Sequence, residues 1–460
     1  MSFFCSPCVF LPCTLCVWRD NFTVWLQEKP LTPSTKAFLW EWKFEQCWNG
    51  KNFAYPVVLL DSVQLFQCLK HMVEERLMTM LSVPTEMIFG VNSHARIPDE
   101  IRGLGGDAAF LITDKGVAQT DFFRDIVNLL KSAGIGVEVF DDVEPEPSAK
   151  TLEKAFSLFQ KKKIKVLLAI GGGSPIDTAK GVGILATNGG RIFDYEGFSM
   201  FKNPPTPLIA VPTTAGTGSE VSGSCVFTDT DQGVKRTINH PRFNRARVAI
   251  LDPLALKTLP ASVAAHAGTD AFVHALESFL SLEASPLTEG VSLYGTELIA
   301  KNIRPFVANR GNLEAGGKML IGSAFGAIGF TSVRTGNVHC MARFVGAFFH
   351  IPHGLSNAVC LPYVAEFNMI ACPEKFGRVA QAMGIETAGM TVMEAASAAV
   401  SAIKELCEDL GIPRNLREIG VKEDAIPKMA KLAFQANYNR WNPRYTTEED
   451  FVKLFHKAMG

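Results

Sequence analysis

The sequence has almost no excess of charge. Its 45 lysines and arginines are matched by 46 aspartates and glutamates, which leaves a formal net charge of −1. Proteins that bind nucleic acid through its phosphates need a basic surface, so this balance argues against nucleic acid as a partner. The sequence also lacks any run of about 18 apolar residues, so we expect no membrane-spanning helix. What remains is the composition of an ordinary globular protein.

Cysteine is scarce beyond the first 68 residues. Six of the eleven cysteines lie in that stretch, and the others are scattered: Cys225, Cys340, Cys360, Cys372 and Cys407. Isolated thiols of this kind are typical of reduced, cytoplasmic enzymes. The first four cysteines form the pattern C-x2-C-x4-C-x2-C. Its central spacer is short for a zinc ribbon, and the apolar start lacks the basic region and cleavage site of a signal peptide, so we predict neither.

Residues 1–77 differ in composition from the rest of the chain. They hold five of the six tryptophans, in an arrangement without clear periodicity. We interpret this segment as an extension outside the catalytic fold, and an accessory module is the alternative that the residues leave open. We assign no function to it. The whole chain of 460 residues is long enough for two domains with substantial cores.

From residue 78 onward, strand and helix patterns alternate. Short apolar runs, the first at 108–113, predict buried strands, and the amphipathic stretches between them predict helices. This alternation is typical of a parallel sheet with crossover helices. After Pro260 the pattern changes to long amphipathic helices without strands. The predicted fold class is therefore α/β, with a parallel-sheet domain at 78–260 followed by an all-helical domain at 261–460.

Two of the predicted strands end in loops that suit a nucleotide. The first loop, GGGS at 171–174, lets a ligand approach the backbone and precedes a helix whose N-terminus can bind phosphate. It lacks the G-x-G-x-x-G fingerprint and the P-loop lysine, and by itself it is equally compatible with a plain turn. The second loop, PTTAGTGSE at 212–220, is rich in hydroxyl groups. Together the two loops favour a dinucleotide site in the first domain.

The helical region carries a candidate metal site. Asp270 and His274 are four residues apart, so on a helix both side chains point from the same face. His339 and His353 are 14 residues apart, which on one straight helix would separate them by about 21 Å. The chain must therefore break between them, and Pro352 with the following glycine supplies the break. One carboxylate and three imidazoles suit a divalent ion and leave room for a substrate oxygen.

Seven motifs together resemble the iron-containing alcohol dehydrogenase family. They lie between residue 80 and the end of the chain and are, in order, GGGSPIDTAK (171–180), VPTTAGTGSEVS (211–222), ILDP (250–253), GTDAFVHALE (268–277), VHCMA (338–342), IPHGLSNAVCLP (351–362) and NPRYTTEED (442–450). The resemblance implies an N-terminal dinucleotide domain and a helical C-terminal domain, with a divalent metal, Fe²⁺ or Zn²⁺, in the cleft between them. It also implies a homo-oligomer.

The resemblance assigns residues to both sites. By position, its metal ligands match Asp270, His274, His339 and His353. Its contacts to the nicotinamide cofactor match Gly172, Gly173, Ser174, Asp177, Thr213 and Thr214. Asp114, which follows the first strand, looks like the family's ribose-binding acid. A carboxylate there accepts a hydrogen bond from the ribose 2′-hydroxyl and repels a 2′-phosphate, so NAD is favoured over NADP.

Three positions depart from the family's pattern in the segment that lines its substrate side. Arg343 stands where members often have a second histidine, thought to relay a proton, and an arginine cannot act as a base at working pH. Arg334 and Asn337 replace small or apolar residues. Because arginine binds carboxylate, sulfonate and phosphonate groups with two donors, we hypothesise a short substrate with an anionic tail, such as sulfoacetaldehyde, reduced to isethionate. The alternative is that the arginines form salt bridges at the rim.

The predicted function is the NAD(H)- and metal-dependent interconversion of a short-chain aldehyde and its alcohol. The metal polarises the substrate oxygen, and a hydride passes between the nicotinamide and the adjacent carbon. A neutral short-chain alcohol or diol is the alternative substrate within the same family. A lyase similar to the dehydroquinate synthases and an inactive scaffold are the alternatives outside it. Net turnover of NADH would exclude the lyase, and bound metal with any turnover would exclude the scaffold.

Overall fold

The structure, a computed structural model, describes residues 81–460 throughout and, before them, the backbone of five strands. The chain divides into two compact units, residues 1–80 and residues 81–460. Three of the four cysteines of the tandem pattern, Cys5, Cys8 and Cys13, and the tryptophan side chains of the first unit lie outside the described residues. That residues 1–77 are an extension outside the catalytic fold therefore stays a proposal.

The five strands of the first unit form an antiparallel sheet. Their bounds are Thr14–Arg19 (β1), Phe22–Pro30 (β2), Phe38–Trp48 (β3), Lys51–Ala54 (β4) and Val58–Leu60 (β5). The spatial order is β1-β2-β3-β4, and β5 also pairs with β3.

Two sheets lie in the first part of the second unit. Their strands are Glu86–Phe89 (β6), Ala108–Ile112 (β7), Gly136–Phe140 (β8), Val166–Gly171 (β9), Gly197–Phe198 (β10), Leu208–Pro212 (β11), Ser224–Asp229 (β12), Val234–Asn239 (β13) and Val248–Leu251 (β14). Six strands form a parallel sheet in the order β6-β14-β11-β9-β7-β8. The other three form a small sheet in which β13 pairs antiparallel with β12 and parallel with β10.

Fourteen α-helices are present in residues 81–460. Those of the sheet region are Ile97–Gly103 (α1), Lys115–Ala118 (α2), Asp121–Ser132 (α3), Ala149–Gln160 (α4) and Gly173–Asn188 (α5). The later ones are Ala261–Leu280 (α6), Pro286–Ala308 (α7), Leu313–Val333 (α8), Asn337–Phe349 (α9), His353–Met369 (α10), Pro373–Ala382 (α11), Val392–Asp409 (α12), Ile426–Gln435 (α13) and Glu448–Met459 (α14). Short 3-10 helices lie at Ser93–Arg96, Ile192–Tyr195, Pro253–Leu256, Glu423–Ala425 and Asn437–Trp441.

The central strands are buried on both faces, which explains why they are continuous apolar runs. Successive side chains of a strand point to opposite faces, so Leu111 of β7 joins one core with Ile126 of α3. Its neighbour Phe110 joins the other core with Leu152 of α4. The sheet therefore lies between two layers of helices.

The strand order reverses between β7 and β9. From β7 the chain moves to the edge strand β8, and it then returns to β9 on the opposite side of β7. The carboxyl ends of parallel strands beside such a reversal form a crevice in which ligands bind. Asp114 follows β7 and Gly172 follows β9, so the topology places two of the predicted cofactor segments at this crevice.

The predicted fold class is confirmed, since a parallel α/β sheet is followed by helices alone in the described part of the chain. The domain boundary near residue 260 stays a proposal, because residues 81–460 pack as one compact unit. Pro362 lies inside helix α10 and interrupts its helical sequence pattern. Among the described residues, no helix is long and apolar enough to cross a membrane.

A buried lysine of helix α5 holds the hydroxyl-rich loop that follows β11. The Nζ of Lys180 donates hydrogen bonds to the Ser219 hydroxyl at 2.9 Å and to the carbonyl oxygens of Ser222 and Ser224 at 3.1 and 2.7 Å. The Ser219 hydroxyl donates in turn to Asp177 Oδ1 at 2.5 Å. Burial lowers the pKa of Lys180 and raises that of Asp177, while each charge opposes the shift in the other. The network holds the loop in one position relative to the helix.

Glu220, in the same loop, makes the stability of the protein depend on pH. Its side chain is buried, and burial raises its pKa from 4.5 to about 7. The folded protein therefore holds this proton more tightly than the unfolded chain does. This contribution to stability is complete below the unfolded pKa and is lost as the pH rises through the folded pKa.

We expect the substitution Glu220→Gln to remove this pH dependence. Between pH 4.5 and 7.5 the wild type should lose up to about 3 kcal/mol more free energy of unfolding than the variant. Urea denaturation at a series of pH values measures the difference, with Glu153→Gln on the exposed face of α4 as the control. Parallel pH profiles for the wild type and Glu220→Gln would contradict the assignment.

Candidate active site

Three helices meet at the predicted metal ligands. Helix α6 carries Asp270 and His274, α9 carries His339, and α10 begins with His353. One donor atom from each of Asp270, His339 and His353 lies within 4.8 Å of the others. The Nε2 of His274 is 4.0 Å from Asp270 Oδ1, and its ring stacks on that of His339 with centroids 4.8 Å apart. The structure thus brings three buried residues, Asp270, His274 and His339, together with the partly exposed His353, although the donor of His274 lies outside the group of three donors.

The chain breaks between the last two of these residues, as their spacing requires. Helix α9 ends at Phe349, His350 has a left-handed backbone with φ of 53°, and α10 starts at His353. A Cβ atom on Gly354 would lie 2.7 Å from the carbonyl oxygen of His266 in α6. Glycine at this position therefore allows the close approach of α10 to α6 that brings the ligands together.

A buried carboxylate fixes the orientation of His339. Glu277 Oε2 lies 2.6 Å from His339 Nδ1, and Oε1 accepts a hydrogen bond from the backbone N–H of Val338 at 2.7 Å. Burial lowers the pKa of this imidazole, but Glu277 outweighs burial and raises it. In the neutral ring, with Nδ1–H donating to the carboxylate, Nε2 presents its lone pair to the cluster. A metal ion must therefore displace the second proton that the raised pKa favours on this ring. Nε2 is buried, and no group in residues 81–460 hydrogen-bonds to it, so it fits the role of a metal ligand.

Burial and charge favour metal-binding protonation states at the other three residues. Burial raises the pKa of Asp270, but the neighbouring imidazoles and a hydrogen bond from Asn357 outweigh it, and the net pKa is lowered. Burial lowers the pKa of His274 and takes that of His353 down to about 3. Ionised carboxylates and neutral imidazoles are the forms that bind metals. The donor set and its protonation therefore fit a divalent ion.

The two predicted cofactor loops pack directly against each other. The carbonyl oxygen of Gly171 accepts a hydrogen bond from the N–H of Thr213 at 3.0 Å. A Cβ atom on Gly172 would lie 3.3 Å from Thr214 Oγ1. Gly173 then begins helix α5, whose first turn offers N–H groups to a phosphate. Small residues at this turn keep the loops close and the helix N-terminus open.

Three of the polar side chains predicted to contact the cofactor already have partners within the protein. Ser174 Oγ accepts a hydrogen bond from the N–H of Glu146 at 3.1 Å. Asp114 caps α2, with Oδ1 accepting from the N–H of Val117 at 2.9 Å. Asp177 belongs to the lysine network of α5. Direct contact of these residues with a cofactor stays a prediction.

Two of the three residues expected on the substrate side are held by protein groups. Asn337 is fully buried and donates a hydrogen bond to Thr446 Oγ1 at 2.8 Å. Arg343 donates from Nη2 to the carbonyl oxygen of Lys235 at 3.1 Å. Arg334 differs from both, because its guanidinium lies against aromatic rings without a hydrogen bond or ion pair to any residue of 81–460. The structure therefore gives the three residues separate surroundings.

Three further residues of the site had no role in the sequence-based prediction. Glu277 and Asn357 stand one helical turn from a ligand, and that spacing was a usable signal. Asn357 Nδ2 donates to Asp270 Oδ1 at 2.6 Å and lies 3.1 Å from His353 Nε2. Lys235 is brought close by strand β13, and after burial its charge is one of the causes of the low pKa of His353. No local sequence pattern points to Lys235, because the fold of the small sheet places it.

Two profiles of one protein family match the second unit. Residues 84–253 match the iron-containing alcohol dehydrogenase profile, and residues 264–459 match the C-terminal profile of the Fe-containing alcohol dehydrogenase family. The chain is also similar to the 1,3-propanediol dehydrogenase of Citrobacter freundii. The two are 41% identical over 379 residues, which make up 82% of this chain and 98% of that protein.

Solved structures show the same similarity. A 1,3-propanediol oxidoreductase aligns with a TM-score of 0.81 and 38% identity, over 83% of this chain and 100% of the other. The sulfoacetaldehyde reductase of Bifidobacterium kashiwanohense, determined in complex with NAD⁺, aligns with a TM-score of 0.75 and 26% identity. That alignment covers 83% of this chain and 98% of the reductase.

We expect Glu277→Gln to weaken metal binding by about 10- to 100-fold, as is usual when a residue that orients a histidine ligand is changed. An amide lacks the second acceptor oxygen, so it cannot hold both the Val338 N–H and the His339 ring. Competition with a fluorescent chelator measures the affinity. Glu297→Gln, a solvent-facing change on α7, is the control. Equal metal affinities for wild type and Glu277→Gln would exclude this role.

Proposed function

Because the chain belongs to the iron-containing alcohol dehydrogenase family, we propose that it interconverts a short-chain aldehyde and its alcohol at the cluster of Asp270, His274, His339 and His353. At the level of the family it is an NAD-dependent alcohol or aldehyde oxidoreductase that uses a divalent metal. The family gives no support to the lyase or the scaffold alternative. The observation that carries the proposal is that Asp270, His339 and His353 each offer a donor atom within 4.8 Å of the others, and that Nε2 of His339 has no hydrogen-bond partner in residues 81–460.

The proposed metal is Fe²⁺, held by Asp270, His274, His339 and His353. Carboxylate and imidazole donors suit both Fe²⁺ and Zn²⁺, so Zn²⁺ is the rival, and the family supports iron. The low pKa of His353 and the ionised Asp270 favour binding at neutral pH. Neither residue has to lose a proton to the solvent when the ion arrives.

The proposed position of NAD is the crevice between β7 and β9, with the pyrophosphate at the first turn of α5 and the adenosine ribose at Asp114. The second hydroxyl-rich loop extends from this crevice to the metal cluster. The carbonyl oxygen of Gly216 in that loop lies 3.4 Å from His274 Nδ1. A nicotinamide held by this loop would therefore lie near His274.

The mechanism divides between the bound groups and the residues of this chain. The chemistry supplied on binding is polarisation of the substrate oxygen by the ion and exchange of a hydride with the nicotinamide. Glu277 fixes the orientation of the His339 ring through a hydrogen bond with Nδ1, and Asn357 fixes the Asp270 carboxylate by donating a hydrogen bond to Oδ1. Arg343 cannot donate a proton near pH 7. The proton of the alcohol therefore comes from solvent, from the ribose hydroxyl or from His350, whose side chain is exposed.

A neutral diol is the second candidate substrate, and the 41% identity to a 1,3-propanediol dehydrogenase favours it. An anionic aldehyde is favoured by Arg334 and by the similarity to a sulfoacetaldehyde reductase.

We also propose a cytoplasmic location, since the five cysteines of residues 81–460 are free thiols. A homo-oligomer is proposed on the family resemblance alone.

Removal of the metal tests the proposal. Chelation is expected to abolish NADH oxidation with short aldehydes, and Fe²⁺ or Zn²⁺ should restore it. Asp270→Ala and His339→Ala should each lower kcat/KM by roughly 1000-fold, because several kcal/mol of polarisation are lost. His456→Ala on α14 controls for the loss of a histidine outside the cluster. Full activity of the metal-free protein, or of Asp270→Ala, would disprove the proposed mechanism.

A change at Asp114 tests the position of the cofactor. Asp114→Ser should reduce the preference for NADH over NADPH by about 10- to 100-fold, since it removes the carboxylate that repels a 2′-phosphate. Serine retains an acceptor for the cap of α2, so the fold should be kept. The ratio of kcat/KM for the two coenzymes is the measurement, and Asp121→Ser on the exposed face of α3 is the control. A coenzyme ratio that does not change would place the ribose elsewhere.

A further inference from the structure

Helix α9, which carries the proposed ligand His339, begins without a cap of its own. The residue before it is Gly336, which has no side chain to accept hydrogen bonds from the first backbone N–H groups of the helix. The first two residues of the helix, Asn337 and Val338, are only 0 and 2% exposed. Buried N–H groups without acceptors are costly, so other parts of the chain must supply the acceptors.

Two side chains that are distant in the sequence supply these acceptors. Glu277 Oε1, from α6, accepts a hydrogen bond from the N–H of Val338 at 2.7 Å. Asn442 Oδ1, from the segment before α14, accepts one from the N–H of Asn337 at 3.3 Å. Both acceptors lie at the same point of the chain, since a Cβ atom on Gly336 would lie 3.0 Å from each. The start of α9, where the proposed ligand of that helix lies, is therefore held from two sides.

The side-chain amide of Asn442 is fixed in one orientation. Its Nδ2 donates to Asn368 Oδ1 at 2.7 Å and to the carbonyl oxygen of Arg444 at 2.8 Å. Its Oδ1 accepts from Asn368 Nδ2 at 2.9 Å as well as from the N–H of Asn337. Both donors and both lone pairs of the amide are thus used. A flipped amide would place its NH2 group against the N–H of Asn337 and its oxygen against a carbonyl oxygen.

The segment around Asn442 is bonded to all three helices that carry the proposed ligands. Asn368 lies near the end of α10, which begins with His353. The carbonyl oxygen of Trp441 accepts a hydrogen bond at 2.9 Å from the N–H of Leu282, two residues after the end of α6. Asn442 itself binds the first residue of α9. Because the cluster lies where these helices meet, the segment helps to set the distances between the ligands.

A second contact strengthens the link between this segment and α9. The side chain of Asn337 donates from Nδ2 to Thr446 Oγ1 at 2.8 Å. The Thr446 hydroxyl donates in turn to the carbonyl oxygen of Arg444 at 2.8 Å, the same oxygen that Asn442 binds. The turn from 442 to 446 is therefore held together by its own hydrogen bonds before it contacts the helix.

We propose that Asn442 is a positioning residue of the metal site, which fixes the start of α9 and thereby the distance of His339 from Asp270 and His353. This inference rests on the proposed function and adds a residue to its metal site. Glu277 orients the ring of His339, whereas Asn442 places the helix that carries this ring. Metal ligands must lie within about 0.2 Å of their bonding distances, so a small shift of α9 weakens binding.

Titration of the metal-free protein with Co²⁺ tests the proposal. The visible absorption of protein-bound Co²⁺ depends on its coordination, so the titration gives both an affinity and a signature of the site geometry. Asn442→Ala removes all four hydrogen bonds of the amide. We expect it to weaken Co²⁺ binding by about 10-fold, as for a residue that supports a ligand without touching the ion, and to change the absorption spectrum.

A second variant removes the hydrogen bond from the side of the helix. Asn337→Pro lacks the backbone N–H that Asn442 binds, and proline is tolerated at the first position of a helix. Asn337→Ala is its matched control, because it keeps this N–H and loses the same side-chain bond to Thr446. Asn337→Pro should bind Co²⁺ more weakly than Asn337→Ala. Equal affinities of these two variants would overturn the proposal, even if Asn442→Ala does not fold.

Asn244→Ala controls for a loss of stability alone. Asn244 is 1% exposed, and its Nδ2 also donates to two carbonyl oxygens, those of Gly223 and Ile238, each at 3.2 Å. This variant should lower the melting temperature, as Asn442→Ala does, but bind Co²⁺ with the affinity and spectrum of the wild type. If it weakens Co²⁺ binding as much as Asn442→Ala does, the role of Asn442 is stability alone and the proposal fails.

The outcomes separate this proposal from the wider one. Wild-type Co²⁺ affinity and spectrum in Asn442→Ala would overturn the positioning role, whatever the activity. A wild type that binds Co²⁺, in a way that His339→Ala abolishes, but reduces no aldehyde with NADH would overturn the proposed function and leave the positioning role in place. A wild type that binds no Co²⁺ would overturn both.

Discussion

The hydrogen bond between Glu277 and His339 is the interaction on which the site depends. Both groups are buried, and the carboxylate also holds the first turn of α9 through Val338. The same helix, α6, supplies two of the proposed ligands and, with Glu277, orients a third. Gly336 permits this closeness, since a Cβ atom there would lie 3.0 Å from the carboxylate. The same contacts of Glu277 therefore pack α9 against α6 and orient a proposed metal ligand.

The cofactor crevice and the metal cluster are joined through the loop that follows β11. Lys180 anchors this loop to α5 from inside the protein, and Gly216 brings its backbone to His274. The loop supplies the hydrogen-bond partners of two buried charges of α5, the Lys180 ammonium and the Asp177 carboxylate. It is therefore rigid, because moving it would leave both charges without these partners. That rigidity would fix the distance between a nicotinamide bound in the proposed crevice and a substrate at the cluster.

Much of this arrangement could be predicted from the sequence because it follows local periodicities. The spacing of Asp270 and His274 requires one helix face, and the 14-residue interval before His353 requires a break. The substrate side could not be predicted, because the direction of each side chain depends on the turn between α8 and α9. Arg334 and Asn337 are three residues apart, but one lies on aromatic rings and the other is buried against Thr446.

The central claim is that one ion binds the residues contributed by α6, α9 and α10. Crystals of the iron-loaded protein, measured with X-rays at and below the iron absorption edge, would locate the ion by its anomalous signal. A single peak is expected within bonding distance of Asp270, His274, His339 and His353, at about 2.0–2.2 Å. A peak elsewhere, or a fully active crystal without a peak between the three helices, would contradict it.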